Sequence, residues 1–101
     1  MKAFNNTLLE RYRNVNCEKI LPMICDYLKE DSAFQPMKNI NTRRWNIHIA
    51  GRYVELLTTG PKWFDVRANK GGGGAIDLII HLMDIDFVSA VKFLRKKMPL
   101  D

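Results

Sequence analysis

Trp63-Phe64-Asp65-Val66-Arg67-Ala68-Asn69-Lys70 runs into Gly71-Gly72-Gly73-Gly74, and these run into Ala75-Ile76-Asp77-Leu78-Ile79-Ile80-His81-Leu82-Met83. Residues 63–68 alternate and read as a strand. Four glycines break it, and Ile76, Ile79, Ile80 and Met83 then recur at helical spacing. Asp77 falls in the first turn of that helix, where a carboxylate suits the positive end of the helix dipole. Asp84-Ile85-Asp86 reads as a turn with Asp86 as the next N-cap. A further helix then carries Phe87, Ala90, Val91, Leu94 and Met98 inward until Pro99 stops it. A strand, a glycine corner and a helical hairpin make up a unit against which the rest of the chain must pack.

Working outward, the period changes twice. Residues 5–13, with Asn5 or Asn6 as a cap and Leu8, Leu9 and Tyr12 as apolar positions, predict a short helix. Ile20, Leu21, Ile24 and Leu28 form an apolar stripe, widened by Met23 and Tyr27, and predict a second helix over 17–29. Pro22 places the start of its regular part near Leu21. The polar connection 29–41 holds Phe34 and Met37, which are expected to fold back onto the core.

Residues 43–49 alternate, with Trp45, Ile47 and Ile49 on one face; after Ala50-Gly51, residues 52–59 read as a second strand, and Gly60-Pro61 turns into the third. The expected fold is α+β: two N-terminal helices, a three-stranded antiparallel meander and a C-terminal helical hairpin, in a single domain over 1–101.

A chain of 101 residues that is 47% hydrophobic can bury one modest core and is not a disordered tail. No apolar run approaches the roughly 18 residues of a membrane span, and Met1-Lys2-Ala3-Phe4 lacks a signal-peptide core. The expectation is a cytoplasmic protein without a membrane partner. Cys17 and Cys25 are too few for a disulfide framework. Placed eight apart on one helix, they would sit about 80° and two turns apart, too far for a bond.

The net charge of +5 is compatible with a nucleic-acid partner, and its distribution is more telling. Between 43 and 70 lie Arg43, Arg44, Arg52, Lys62, Arg67 and Lys70, against only Glu55 and Asp65. Interleaved with Trp45, Tyr53, Trp63 and Phe64, they form the pattern of a single-strand platform, in which bases stack on rings while cations follow phosphates. Alternation puts Trp45 and Phe64 in the core and leaves Trp63 as the stacking residue. Gly72 and Gly73, before a helix, are candidate backbone contacts to a phosphate. Neither a P-loop nor a dinucleotide fingerprint is present. No nucleophile–base pair and no paired carboxylates appear, so no catalytic residue is assigned. Asp77 and His81 could serve chemistry only by joining a partner's site.

Gly72-Gly73-x-x-Ile76-Asp77-Leu78 followed by Phe87-x-x-Ala90-Val91-x-x-Leu94 resembles the zinc-binding (CHC2-type) N-terminal domain of bacterial DNA primases. More weakly, the upstream helix and meander follow that family's order, so the resemblance covers about 20–98. Trp63-Phe64-Asp65 with Lys70-Gly71-Gly72 looks closer still to metal-free relatives carried by plasmids and other mobile elements. The family's zinc ligands are a Cys-x-x-His and a Cys-x-x-Cys. No Cys-x-x-His exists here, and the second pair would fall at Val66 and Asn69. Cys17, Cys25, His48 and His81 lack metal-ligand spacing. The expectation is therefore no metal and no cofactor, with Trp45, Trp63, Phe64 and Val66 supplying the bracing.

The resemblance implies a stand-alone accessory module. It would hold single-stranded DNA template for a separate primase, polymerase or helicase subunit in plasmid or mobile-element replication. The rival reading is a protein-interaction module that docks a polymerase, helicase or relaxase and touches DNA little.

Overall fold

In the computed structural model, which describes residues 6–100, the chain is α+β with four helices and one five-stranded antiparallel sheet. Helices α1 (Asn6–Arg13) and α2 (Cys17–Ile24) precede strands β1 (Tyr27–Glu30), β2 (Arg43–Ile49), β3 (Arg52–Thr59), β4 (Lys62–Asp65) and β5 (Lys70–Gly73). Helices α3 (Ala75–Met83) and α4 (Phe87–Lys97) follow. The strands lie side by side in sequence order. The β2–β3 turn is made by Ala50 and Gly51, with φ of 51° and 74°. Two successive positive φ values match the right-handed twist of the flanking strands.

Side chains alternate across each strand, so register assigns every residue a face. Leu28–Ile47–Val54, Trp45–Leu56–Asp65 and Thr58–Trp63–Gly72 make up rows on the inner face. There Trp45, Ile47, Ile49, Val54, Leu56 and Trp63 join one buried cluster with residues from all four helices, among them Tyr12, Ile20, Leu78, Ile79, Val91 and Leu94. The polar Thr58 is tolerated in this layer because its Oγ1 accepts the Trp45 Nε1–H at 2.9 Å. The opposite, outer face carries the rows Tyr27–His48–Tyr53, Lys29–Asn46–Glu55 and Arg44–Leu57–Phe64–Gly71. Tyr27, Tyr53 and Phe64 are exposed there.

The hairpin of α3 and α4 lies where the sequence puts it, with the Asp86 side chain accepting the Ser89 N–H at 2.8 Å as N-cap. Five expectations are corrected. The second helix ends at Ile24, not at 29: Cys25 is extended, and Tyr27–Glu30 pair with Trp45–His48 instead. Pro22 lies inside α2, not at its start; it cannot offer an N–H to the Glu18 carbonyl, which weakens the helix just before it stops. The third strand ends at Asp65, not at 68, because Asp65 Oδ1 accepts the Ala68 N–H at 3.1 Å and Asn69 turns left-handed with φ 52°. The chain then reverses, and Gly71, Gly72 and Gly73 form an edge strand against β4, so the sheet has five strands. Finally, Met37 is 98% exposed, Phe34 only half-buried and Phe87 exposed, so none of them is a core residue.

Cys17 pins α2 to the sheet. Its N–H donates to the Gly60 carbonyl at 3.0 Å and its Sγ to the Pro61 carbonyl at 3.3 Å, both in the β3–β4 turn. Burial pushes this thiol up to about 12, and burial likewise raises Cys25 to about 11; both are free thiols. In the unfolded chain each thiol loses its proton near 9. Above that pH the unfolded state binds fewer protons than the native one, so stability falls as pH rises toward the folded values. Denaturant titrations between pH 7.5 and 11 are expected to show this decline, and Cys17→Ala is expected to flatten it. Equal slopes for both proteins would show that the Cys17 thiol stays protonated in neither state or in both.

Candidate functional site

Burial sorts the predicted contact residues first. Trp63 and Phe64 exchange the roles assigned from alternation. The Thr58↔Trp63 register places the indole under the helices at 4% exposure, while Phe64 faces outward at 38%. Val66 is exposed as well, so the inner layer is braced by the two tryptophans and not by Phe64 or Val66. Trp63 stacks on His81 of α3, with centroids 4.7 Å apart and planes 22° apart. His81 Nε2 in turn bonds Asp65 Oδ2 at 2.8 Å. Trp63 is therefore not available as a base-stacking platform.

The glycine corner is equally committed. The Gly73 N–H donates to Asp77 Oδ2 at 3.1 Å, and the Gly74 N–H to the Pro61 carbonyl at 2.8 Å. Gly72 lies beneath the Asp77 carboxylate and the Trp63 ring, whose Cζ2 would come within 2.6 Å of a Cβ there. A carboxylate thus occupies the position that the phosphate reading of Gly72 and Gly73 needs to be free. These glycines permit close packing. Asp77 caps the corner and His81 braces Trp63, so both side chains serve structure.

The predicted arginines divide by face. Arg43 pairs with Glu18 at 2.6 Å and Glu30 at 3.6 Å along the inner edge. Arg52 donates to the Leu82 carbonyl and caps the C-terminal end of α3. Arg44 sits on the outer face between Asp31, at 3.8 Å, and Glu55. Arg67 holds Glu55 at 3.3 Å and lays its guanidinium over the Tyr53 ring, 4.9 Å from its centroid. Lys62 and Lys70 are exposed on β4 and β5, and among the described residues neither is in a salt bridge.

Arg44 and Arg67 share the outer face with a row of aromatic side chains. His48 lies between Tyr27 and Tyr53, with ring centroids 5.5 Å and 4.8 Å away. The three rings come from adjacent strands, one cross-strand row, and form a continuous aromatic strip. Lys29 stands in the next row on β1, and Arg67 closes the far end of the strip. The sequence reading missed this row because it assigned Tyr27 to a helix. The signal that finds it is the alternation Tyr27-Leu28-Lys29 beside His48, whose outward direction the neighbours Ile47 and Ile49 already set.

Among the described residues, no group of three or more His, Cys, Asp or Glu side chains is arranged to hold a metal ion. No helix among them is long and apolar enough to cross a membrane. In comparisons with protein-family models, curated proteins and solved structures, nothing matches this chain.

Proposed function

We propose that the chain is a single-stranded nucleic-acid-binding module that uses the outer face of its sheet. The observation that supports this most directly is the exposed strip Tyr27–His48–Tyr53, flanked by Lys29 and Arg67 on a sheet whose helices all pack against the other face. Exposed rings on a sheet stack successive bases with little sequence demand, and neighbouring cations follow the backbone. The resemblance to primase N-terminal domains supports a role beside a separate priming, polymerising or unwinding enzyme, with DNA as the strand. The contact set differs from the one read in the sequence: Arg44 and Arg67 stay in it, while Trp63, Gly72 and Gly73 leave it for structural reasons. Lys70 shares the inner-face row of Asp65 and Lys62 lines a separate groove, so the phosphate contacts in this reading are Lys29, Arg44 and Arg67.

Titration of a labelled single-stranded oligonucleotide at several salt concentrations tests the proposal. Micromolar binding is expected, with log affinity falling linearly in log salt at a slope of about −2 for three phosphate contacts. Tyr53→Ala removes one stacking ring and the seat of Arg67. It is expected to weaken binding about 5- to 150-fold, the range of one lost base–ring stack, with an unchanged melting temperature because Tyr53 is exposed. No binding at low salt, or full binding by Tyr53→Ala, would sink the proposal.

A further inference from the structure

The far end of the same face holds a groove of about 450 Å³ between the 31–42 connection and strands β3 and β4. Phe34, Met37, Leu57 and Phe64 give it apolar walls, and among the described residues the ionisable side chains that line it are Lys38 and Lys62. Its volume lies in the range of natural ligand pockets. Leu57 and Phe64 are cross-strand partners, so the floor is set by the sheet itself. Met37, fully exposed at the rim, is a side chain that adapts to varied apolar surfaces. Nothing in the tyrosine strip requires this groove, which lies four residues along β3 from Tyr53.

We infer that the groove docks an acidic, amphipathic peptide segment of a partner protein. Its apolar side chains would enter between Phe34 and Phe64, and its carboxylates would meet Lys38 and Lys62. Charge decides among the possible occupants. No carboxylate lines the groove, and neither lysine is in an ion pair among the described residues. A second copy of this chain would bring a net charge of +5 to those lysines. A nucleobase would need several hydrogen-bond partners for its edge; the hydroxyls of Thr42 and Thr59 in the lining are bonded to each other at 2.7 Å, which leaves the Gln35 amide as the uncharged polar side chain that could meet it. An apolar side chain makes no such demand. The inference does not depend on nucleic-acid binding; it gives the module a second surface, suited to attachment beside an enzyme.

The test is selection of a displayed random 12-residue peptide library on the intact chain, followed by anisotropy titration of a labelled selected peptide. Enriched sequences are expected to combine two or more large apolar residues with Asp or Glu, and to bind in the micromolar range. Met37→Glu and Lys62→Glu are expected to weaken the peptide at least tenfold while the melting temperature stays unchanged. Tyr53→Ala is expected to leave peptide binding intact, which separates this surface from the stacking strip. No enrichment, enrichment of basic sequences, or affinity indifferent to both groove variants would overturn the inference. Competitive displacement of the peptide by a single-stranded oligonucleotide would overturn it too, by giving the groove to a nucleobase.

Discussion

Gly74→Ala is expected to destabilise the protein by about 2–6 kcal/mol, the sum of two independent costs. The first is conformational. Gly74 is the N-cap of α3 with φ 92° and ψ 159°, a region closed to side-chain-bearing residues at about 1–3 kcal/mol. The second is steric. A Cβ there would lie 2.8 Å from Arg13 Cα and 3.1 Å from the Arg13 carbonyl oxygen. Backbone atoms of α1 cannot rotate aside as a side chain would, so about 1–3 kcal/mol of overpacking is added. Against a typical total of about 5–15 kcal/mol, this is a large fraction. Gly73→Ala is the control, because nothing lies within 4 Å of a Cβ at that position. Denaturant melts of the two variants are the measurement; equal midpoints would show that α1 does not sit against this corner.

The second large effect belongs to Trp63. Trp63→Ala opens a cavity under α3, beside His81 and Gly72, and is expected to cost about 3–5 kcal/mol. Trp63→Phe should behave differently. The indole Nε1 is buried with no hydrogen-bond acceptor among the described residues. Replacing it by an apolar ring removes an unmet donor, worth about 1–3 kcal/mol, and offsets much of the lost packing. Its expected cost is no more than about 1.5 kcal/mol, with oligonucleotide affinity unchanged. Reduced affinity in a Trp63→Phe protein of normal stability would return the indole to the binding surface.

The two tryptophans show how far the sequence could be read and where it stopped. Trp45 declares its face because Ile47 and Ile49 repeat it within one strand. Trp63 does not, because β4 has only four residues, Lys62–Asp65, and both of its aromatic residues are plausible core. Only the pairing with β3 decides, and pairing is a tertiary fact. Strand β3 and the α3–α4 hairpin were legible because long periodic segments outweigh local ambiguity. Strand β1 was not, because Tyr27 and Leu28 extend a helical stripe equally well, and backbone bonds to β2 override that stripe. The glycine run was legible as a break but not as a strand: without side chains it has no period to read. The basic residues were legible as a group. Which of them the fold commits, such as Arg52 to the Leu82 carbonyl, depends on helices distant in sequence.

The Tyr12 hydroxyl donates to the Met98 carbonyl at 3.0 Å, joining α1 to the segment just beyond α4. Residues 12 and 98 therefore lie together, in the layer of helices behind the sheet. A tag, a surface tether or a fused enzyme attached near Met98 arrives from behind. Immobilisation near Met98 leaves the tyrosine strip turned toward solution, and a linker added there need not span the sheet.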